Sequence, residues 1–217
     1  MIIAIDGPAG AGKSTIARMI ARKLSFLYID TGAIYRALTL KVLEKQINIS
    51  DVNAIVDTAA ATVIDLINSQ DGSLKVFLDG RDVSREIRQP RVTRFVSDIA
   101  KIKEVRHILI KLQRKLGKAQ DSVLDGRDIG TVVFPDADKK FYLDAQFEER
   151  VMRRYKELKA LGENITLEDV ATDLRNRDTI DSTRECAPLK KAEDAIYIDT
   201  TTMSIEEVIN KVLTYIR

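Results

Sequence analysis

Residues 7–15 read GPAGAGKST, a glycine-rich stretch that ends in a lysine and two hydroxyl side chains. The spacing of Gly7, Gly12, Lys13 and Ser14 is that of a P-loop, which binds nucleotide phosphates. Glycines let the backbone turn so that successive N–H groups point at phosphate oxygens, and the positive end of the following helix adds to this attraction. An apolar run precedes the segment and an amphipathic helical pattern follows it, a context that favours a true P-loop over a chance glycine-rich turn.

The polar side chains of this loop have distinct expected tasks. We expect Lys13 to reach the β- and γ-phosphates of ATP, Ser14 to bind Mg²⁺ and Thr15 to bond an α-phosphate oxygen. Asp125 ends an apolar run, as a Walker B acid does, and is the second expected Mg²⁺ ligand, acting through water. The predicted ATP-binding residues of the loop are Gly7, Pro8, Ala9, Gly10, Ala11, Gly12, Lys13, Ser14 and Thr15.

A P-loop alone does not separate a kinase from a GTPase, a motor or an assembly ATPase. GTPases carry an Asn-Lys-x-Asp segment that reads the base, and large ATPases carry long Walker B strands with sensor segments; the sequence has neither. A small kinase with a separate acceptor site remains the favoured interpretation.

The segment that starts at Asp30 is the first candidate for the acceptor site. Its Tyr35 could stack on a base, and the guanidinium of Arg36 could form a two-pronged contact with a monophosphate. The same pattern is also typical of an ordinary helix, capped by Asp30 or Thr31, with a buried tyrosine and a solvated arginine. The neighbouring P-loop favours the binding role.

The tetrapeptide Asp-Gly-Arg-Asp occurs twice, at residues 79–82 and 125–128. The second copy follows a predicted strand of the main sheet, so Arg127 and Asp128 should emerge at its carboxyl edge, where active sites of open sheets lie. The first copy follows a short predicted strand and is expected to be a structural hairpin turn.

Arginines are frequent in residues 147–190, which contain two amphipathic helical patterns. Arg150, Arg153 and Arg154 are three and four residues apart and are predicted to share a helix face. Such a charge run is often a solvated surface. The alternative is a lid, because phosphoryl transfer must exclude water and stabilise developing negative charge. The one histidine, His107, lies in a predicted helix and is not expected to be catalytic.

Short apolar runs that alternate with helical patterns must position these residues, and this alternation is typical of a parallel sheet with crossover helices. The fold class predicted is α/β, a three-layer P-loop NTPase fold with a central five-stranded parallel sheet, an inserted acceptor-binding lobe and a helical lid. The predicted strands of the main sheet are Ile2–Ile5, Phe26–Ile29, Ser122–Leu124, Lys140–Leu143 and Ala195–Ile198. One kinase unit is expected, with a core of residues 1–44, 122–146 and 191–217, an inserted lobe of 45–121 and a lid of 147–190.

Composition limits the possible partners. Of 217 residues, 35 are basic and 33 acidic, so the net charge of +2 gives no global field that would attract nucleic acid or a membrane. Cys186 is the single cysteine, which excludes an internal disulfide and fits a reducing cytoplasm. The apolar N-terminus is too short for a signal peptide or a membrane helix. We expect a cytoplasmic monomer that binds small molecules.

Several segments together resemble one family over essentially the whole chain, the bacterial cytidylate kinases. They are IDGPAGAGKST, YIDTGAIYRALTL, DVSREIRQPRVTRFVSDIAKIKEVR, LDGRDIGTVVFPDA, FYLDAQFEERVMRR, RNRDTIDSTRECAPL and IYIDTTTMSIEEVI. The resemblance implies phosphorylation of CMP and dCMP by ATP with Mg²⁺.

The same resemblance assigns roles to individual residues. It implies that cytosine is surrounded by Thr31, Ser97, Arg106 and Asp128. It implies that the CMP phosphate is held by Arg36, Arg127 and Arg184, and the sugar hydroxyls by Arg177 and Asp181. Arg153 would lie beside the adenine of ATP. The expected catalytic group is Lys13, Arg127, Asp128 and Arg184.

Asp128 gives a physical reason for the choice of base. A carboxylate accepts a hydrogen bond from the exocyclic amine of cytosine but faces an oxygen in uracil, so UMP should be a poor substrate. Two other functions stay open: a kinase of another small acceptor, such as a different nucleotide or shikimate, and a nucleotide-dependent switch without an acceptor.

Overall fold

The protein is described by a computed structural model that covers residues 1–69 and 73–216. Its strands, in chain order, are β1 (Ile2–Asp6), β2 (Leu27–Asp30), β3 (Ile64–Asn68), β4 (Leu74–Leu78), β5 (Arg81–Asp82), β6 (Ser122–Gly126), β7 (Lys139–Asp144) and β8 (Ile196–Asp199). Its helices are α1 (Lys13–Leu24), α2 (Thr31–Glu44), α3 (Val52–Ala60), α4 (Pro90–Thr93), α5 (Val96–Ala100), α6 (Lys103–Gly117), α7 (Phe147–Ala160), α8 (Leu167–Thr183) and α9 (Ile205–Ile216).

The central sheet has five parallel strands in the order β2-β6-β1-β7-β8. The predicted α/β fold and all five predicted strands are confirmed, with ends that differ by one or two residues. Strands of a parallel sheet are covered on both faces, which is why Ile3, Ala4 and Ile5 of β1 are fully buried. Because β6 and β7 lie on either side of β1, the crevice at the carboxyl end of β1 is the expected place for a ligand.

A smaller antiparallel sheet, β3-β4-β5, lies between β2 and β6 in the sequence. The predicted hairpin turn at residues 79–82 is confirmed: Asp79 and Gly80 both have positive φ, as a two-residue hairpin loop requires. Arg81 of this turn pairs with Glu44 and Glu86 on the surface. Strand β3 was not predicted, because only Ile64 of its five residues is buried and the sequence signal is correspondingly weak.

The two predicted helices of residues 147–190 are also present. Helices α7 and α8 form a hairpin around Gly162, whose φ is +83°. Their apolar faces pack together in a cluster separate from the main core, and this cluster includes Ala9 of the P-loop. The lid helices are therefore in direct contact with the P-loop. The division into core, inserted lobe and lid as functional units stays a prediction.

Helix ends follow the expected capping chemistry. Asp30 caps α2, since its Oδ1 accepts from the Ala33 N–H at 2.8 Å. Reciprocal bonds between Ser204 and Glu207 form a capping box at the start of α9. Within the described residues, no helix combines the length and the hydrophobicity needed to cross a bilayer.

Candidate active site

The P-loop runs from β1 into α1 and is pressed against neighbouring backbone. Gly7 has a φ of +145°, and a side chain there would lie 1.9 Å from the carbonyl oxygen of Leu143. Lys13 begins α1, and its Nζ donates to the carbonyl oxygen of Pro8 at 2.6 Å. Burial, and after it the nearby Arg127 guanidinium, lowers the pKa of the Lys13 ammonium well below its usual range. A buried ammonium with one neutral acceptor is well placed to bind an added anion.

Ser14 and Asp125 meet beside the loop. The Ser14 hydroxyl donates to Asp125 Oδ2 at 2.7 Å, and the Tyr28 hydroxyl donates to Oδ1 at 2.9 Å. Burial and then the neighbouring Asp30 raise the pKa of Asp125 to about 6. A cation would relieve this repulsion.

The donor set at Ser14 and Asp125 fits Mg²⁺, which typically binds one or two carboxylate or hydroxyl oxygens and completes its shell with water and substrate phosphate. Across residues 1–69 and 73–216, no cluster of three or more His, Cys, Asp or Glu side chains could hold a metal by itself. The ion would therefore be bound together with the phosphates.

Asp128 lies just after β6 and has two arginine partners. Arg106 of α6 and Arg184, at the end of α8, both donate to its carboxylate, Arg184 at 3.5 Å. Arg106 is only 1% exposed, and its guanidinium also lies 5.5 Å from the centre of the Tyr35 ring. The result is a buried carboxylate held in place by cations from two other elements.

Arg127 and Asp181 form a second ion pair, which is partly buried. The Nε of Arg127 donates to Asp181 Oδ2 at 2.9 Å, while Ser97 donates to Oδ1 at 3.2 Å. Burial alone would raise the pKa of Asp181, but Arg127, Arg184 and Arg177 hold it below its usual value. The inserted segment, β6 and the lid thus meet at one carboxylate.

Arg177 differs from these arginines because no ion pair within the described residues includes it, and its buried Nε has no hydrogen-bond partner there. Burial and then Arg127 lower the pKa of Arg177 to about 10. An unpaired guanidinium beside the P-loop and Arg127 is a site of strong attraction for a phosphate.

The α2 segment contributes Thr31 and Arg36. Arg36 donates to Asp30 Oδ2 at 2.9 Å, and the Thr31 hydroxyl donates to the carbonyl oxygen of Asp125 at 2.7 Å. Tyr35 is buried, and its hydroxyl has no hydrogen-bond partner in the described residues. Helix α2 is therefore both an ordinary helix capped by Asp30 and a wall of the cleft, so its structural and binding interpretations are compatible.

The lid arginines divide their contacts. Arg153 donates to Glu149 at 3.0 Å and to the Thr200 carbonyl at 2.6 Å, and Arg154 pairs with Glu157. Arg150 instead donates to the carbonyl oxygen of Ala9 and to Asp178. All three arginines belong to the continuous helix α7, as predicted, but only Arg153 and Arg154 line the cleft. The aliphatic stem of Arg150 is buried against the loop, and this directs its head to the P-loop backbone.

These groups line one cleft of about 660 Å³, which extends from the P-loop to Asp128. Gly7 and Pro8 do not line it and support the loop from behind. The other predicted site residues all line it: Ala9, Gly10, Ala11, Gly12, Lys13, Ser14, Thr15, Thr31, Tyr35, Arg36, Ser97, Arg106, Asp125, Arg127, Asp128, Arg153, Arg177, Asp181 and Arg184. We refer to its two regions as the P-loop end and the Asp128 end.

Some residues of the site were missed from the sequence. Tyr28 binds the Asp125 carboxylate, Thr200 anchors Arg153, and Asp178 accepts from the Ala9 N–H at 3.2 Å. None belongs to a local motif, because each acts on a residue more than forty positions away. Asp30 was recognised only as a possible cap.

Comparison with known proteins gives a consistent result. A protein-family model described as cytidylate kinase matches residues 3–217. A cytidylate kinase of Caldanaerobacter subterraneus subsp. tengcongensis is 53% identical over 99% of this chain and 94% of its own length. One from Desulforamulus reducens is 51% identical over 99% of this chain and 96% of its own length.

Among solved structures, an uncharacterized protein from Eubacterium ventriosum matches 100% of this chain and 97% of its own, with a TM-score of 0.52 at 11% identity. This likeness supports the fold.

Proposed function

The chain belongs to the cytidylate kinase family, and on this basis we propose that the cleft transfers the γ-phosphoryl group of ATP to the phosphate of CMP or dCMP. ATP is the co-substrate of such a kinase. One observation supports this assignment: a single cleft contains a P-loop at one end and, at the other, the buried Asp128 carboxylate bound by arginine.

The P-loop end binds ATP. Lys13 neutralises charge on the β- and γ-phosphates, and the N–H groups of the loop together with the start of α1 hold the phosphate oxygens. Ser14, and Asp125 through water, would hold Mg²⁺, which would supply positive charge beside the phosphates. Arg153 contributes to the adenine site.

The Asp128 end binds the monophosphate. Asp128 accepts a hydrogen bond from the cytosine amine, and its charge is compensated by Arg106 and Arg184. Thr31, Tyr35 and Ser97 complete the base pocket. Asp181 and Arg177 bind the ribose side, and Arg36, Arg127 and Arg184 hold the acceptor phosphate.

Catalysis then rests on position and charge. The acceptor phosphate is already ionised at neutral pH, so no side chain has to remove a proton from it. Lys13, Arg127, Arg177 and Arg184 all line the cleft, and their positive charges would stabilise the charge that develops on the transferred group. Closure of α7 and α8 excludes water, which would otherwise accept the phosphoryl group.

A panel of monophosphates with ATP and Mg²⁺ tests the reaction. CMP and dCMP should be phosphorylated rapidly, and UMP and AMP poorly. Turnover of AMP or UMP but not CMP would indicate another acceptor. Slow ATP hydrolysis that no monophosphate accelerates would indicate a nucleotide switch.

Exchange of the base-reading carboxylate tests the role of Asp128. Alanine is a poor choice, because an unpaired Arg106 in the interior would cost about 3–5 kcal/mol of stability. Asp128→Asn keeps the shape and should lower kcat/KM for CMP by about 10- to 100-fold, the value of a charged hydrogen bond, while the Kd for ATP is retained. It should also raise the ratio of UMP to CMP activity, since an amide can donate to uracil.

Asp79→Asn is the matched control, because it makes the same change at an ion-paired carboxylate outside the cleft. Its kinetics should equal those of the unmodified enzyme. Unchanged CMP kinetics in Asp128→Asn would exclude the proposed base contact.

We also propose that the enzyme works as a monomer in a reducing cytoplasm. One chain supplies both ends of the cleft, and a single cysteine suits a reducing compartment. Sedimentation at working concentration tests the monomer.

A further inference from the structure

Asp6, the last residue of β1, makes a contact that joins the two ends of the cleft. Its side chain is 4% exposed, and its two oxygens accept separate backbone N–H groups, Oδ1 from Ile129 at 2.8 Å and Oδ2 from Gly130 at 2.7 Å. Asp6 also directly precedes Gly7, the first residue of the P-loop. One carboxylate therefore bonds the donor loop to the residues that follow Asp128.

The segment around Asp128 is fixed at its other side as well. Gly126 pairs in register with Asp6 at the end of β6, and a side chain at Gly126 would approach Ile129 and Thr31 to 2.7 Å. Residues 129–133 form a single π-helical turn in which the Asp128 carbonyl accepts from two later N–H groups. Arg127 and Asp128 thus lie between two anchors, Gly126 on one side and the Asp6 bonds on the other.

An unusual turn needs such an anchor. A π turn is uncommon and is often found at functional sites, because its hydrogen bonds are less favourable than those of an α-helix. The first N–H groups of any helical turn lack partners within the turn. The two oxygens of Asp6 accept from two of these N–H groups, those of Ile129 and Gly130. These bonds fix the start of the turn, and with it the backbone of the preceding Asp128.

We propose that Asp6 is a positioning residue for the acceptor base: through Ile129 and Gly130 it sets the position of the Asp128 carboxylate, and so the preference for cytosine. The inference rests on the proposed function, since it concerns the base that Asp128 reads. Asp6 itself does not line the cleft.

The chemistry of Asp6 explains why an amide is not equivalent to it. The carbonyl oxygen of an asparagine side chain could accept one of the two N–H groups, but its NH₂ group would face the other, so one bond would be replaced by a donor–donor contact. The net loss is one hydrogen bond, and one buried N–H is left without a partner.

Asp6→Asn is the primary variant. We expect the ratio of kcat/KM for CMP to that for UMP to fall about tenfold, because Asp128 no longer has a single position, with the Kd for ATP within about twofold of the wild-type value. Asp138→Asn is the control: Asp138 accepts from the Ile2 N–H at 2.6 Å at the opposite end of β1, outside the cleft. Its ratio should not change.

A second variant approaches the same contact from the other side. The Cβ of Gly130→Ala would lie 3.1 Å from Lys140 Cδ, a tight contact, and in ordinary contact with Asp6 Oδ2 at 3.4 Å. The crowding against Lys140 should shift the backbone of residue 130, and with it the N–H that Asp6 accepts, so the ratio should fall in the same direction. If Asp6→Asn does not fold, the CMP-to-UMP ratio of Gly130→Ala alone tests the proposal. In an Asp128→Asn background, Asp6→Asn should leave the ratio almost unchanged, because the effect passes through Asp128.

Each outcome has a definite meaning. A lower Tm with an unchanged ratio in both variants would show a purely structural role and overturn the inference. A rise in the Kd for ATP as large as the loss in CMP selectivity would assign Asp6 to the P-loop instead. If the wild type prefers another monophosphate, the proposed function fails, and the ratio of that substrate to the poorest one then tests Asp6.

Discussion

In the cleft, the buried arginines have carboxylate partners, and the cations without one include two groups placed where a phosphate is expected. Arg106, Arg127 and Arg184 all have buried carboxylate partners, whereas no ion pair in the described residues includes Lys13 or Arg177. A desolvated cation without a counterion destabilises the folded chain. We therefore expect Lys13 and Arg177 to lower the stability of the free protein while they favour phosphate binding.

Arg177→Met tests this expectation. The apolar side chain keeps most of the volume but removes a partly buried charge that Arg127 repels, so the free protein should become more stable by about 1–2 kcal/mol. For a chain of this size that corresponds to a Tm increase of about 2–8 °C. Calorimetry without nucleotides measures the gain, and a coupled assay should show a large loss of CMP phosphorylation.

Arg175→Met is the control on the same helix. Arg175 is exposed and lies over the Phe147 ring, so its replacement should change stability by no more than about 0.5 kcal/mol. A Tm that falls in Arg177→Met would contradict the prediction, because it would mean that Arg177 already has a stabilising partner.

At the scale of elements, periodicity predicted what is locally encoded. The five central strands, the lid helices and the Asp79–Gly80 turn all follow from patterns within ten or fifteen residues. The short elements α4 and α5 and the π turn were not predicted, because packing rather than local preference determines them.

The candidate site shows the same limit. The P-loop is contiguous, so its spacing identifies it. The partners of Asp128 are 22 and 56 residues away, and the contacts of Asp178 with Ala9 span 169 residues. No motif spacing predicts contacts over such sequence separations. The roles of these residues were therefore predicted only by the family resemblance, or were found only in the structure.

The lid hairpin binds both backbone polar groups of Ala9 in the P-loop, its carbonyl oxygen and its N–H. Arg150 of α7 donates to the Ala9 carbonyl at 2.9 Å, and Asp178 of α8 accepts from the Ala9 N–H at 3.2 Å. The two lid residues also pair with each other. Lid position and loop conformation are therefore coupled.

Arg150→Met should loosen this coupling. Methionine removes the guanidinium that lies over the Phe147 ring and frees the Ala9 carbonyl, so we expect faster amide exchange in residues 147–183 and about a tenfold higher Kd for ATP. Lys156→Met, an exposed change on the same helix, should alter neither. Unchanged exchange in the Arg150 variant would show that apolar packing alone holds the lid.

For the whole molecule, the fold gathers acidic side chains at the carboxyl edge of the sheet. Asp6 and Asp30 end β1 and β2, Asp125 is the second-last residue of β6 between them, and all three are buried. Burial raises the pKa of Asp6 to about 7 and that of Asp125 to about 6. The free enzyme should therefore become less stable as these groups ionise, which happens closer to neutral pH than carboxylates usually titrate.

The sign of the Asp6 contribution can be tested directly. Its native pKa of about 7 is above the unfolded value of 3.8, because burial outweighs the bonds from Gly130 and Ile129. The native state thus binds the extra proton, and this stabilisation is complete below pH 3.8 and is lost as the pH rises through 7. Asparagine at this position has no proton to lose.

Urea unfolding of the nucleotide-free protein at pH 5 and pH 8 measures this effect. The stability of the wild type relative to Asp6→Asn should be greater at pH 5 than at pH 8 by about 3 kcal/mol, since most of the shift of the pKa is expressed in that interval. The subtraction cancels other titrating groups, and the lost backbone bonds contribute nearly equally at both pH values. An equal difference at pH 5 and pH 8 would mean that Asp6 ionises in the folded protein as it does in water, and that cations of the cleft already compensate its burial.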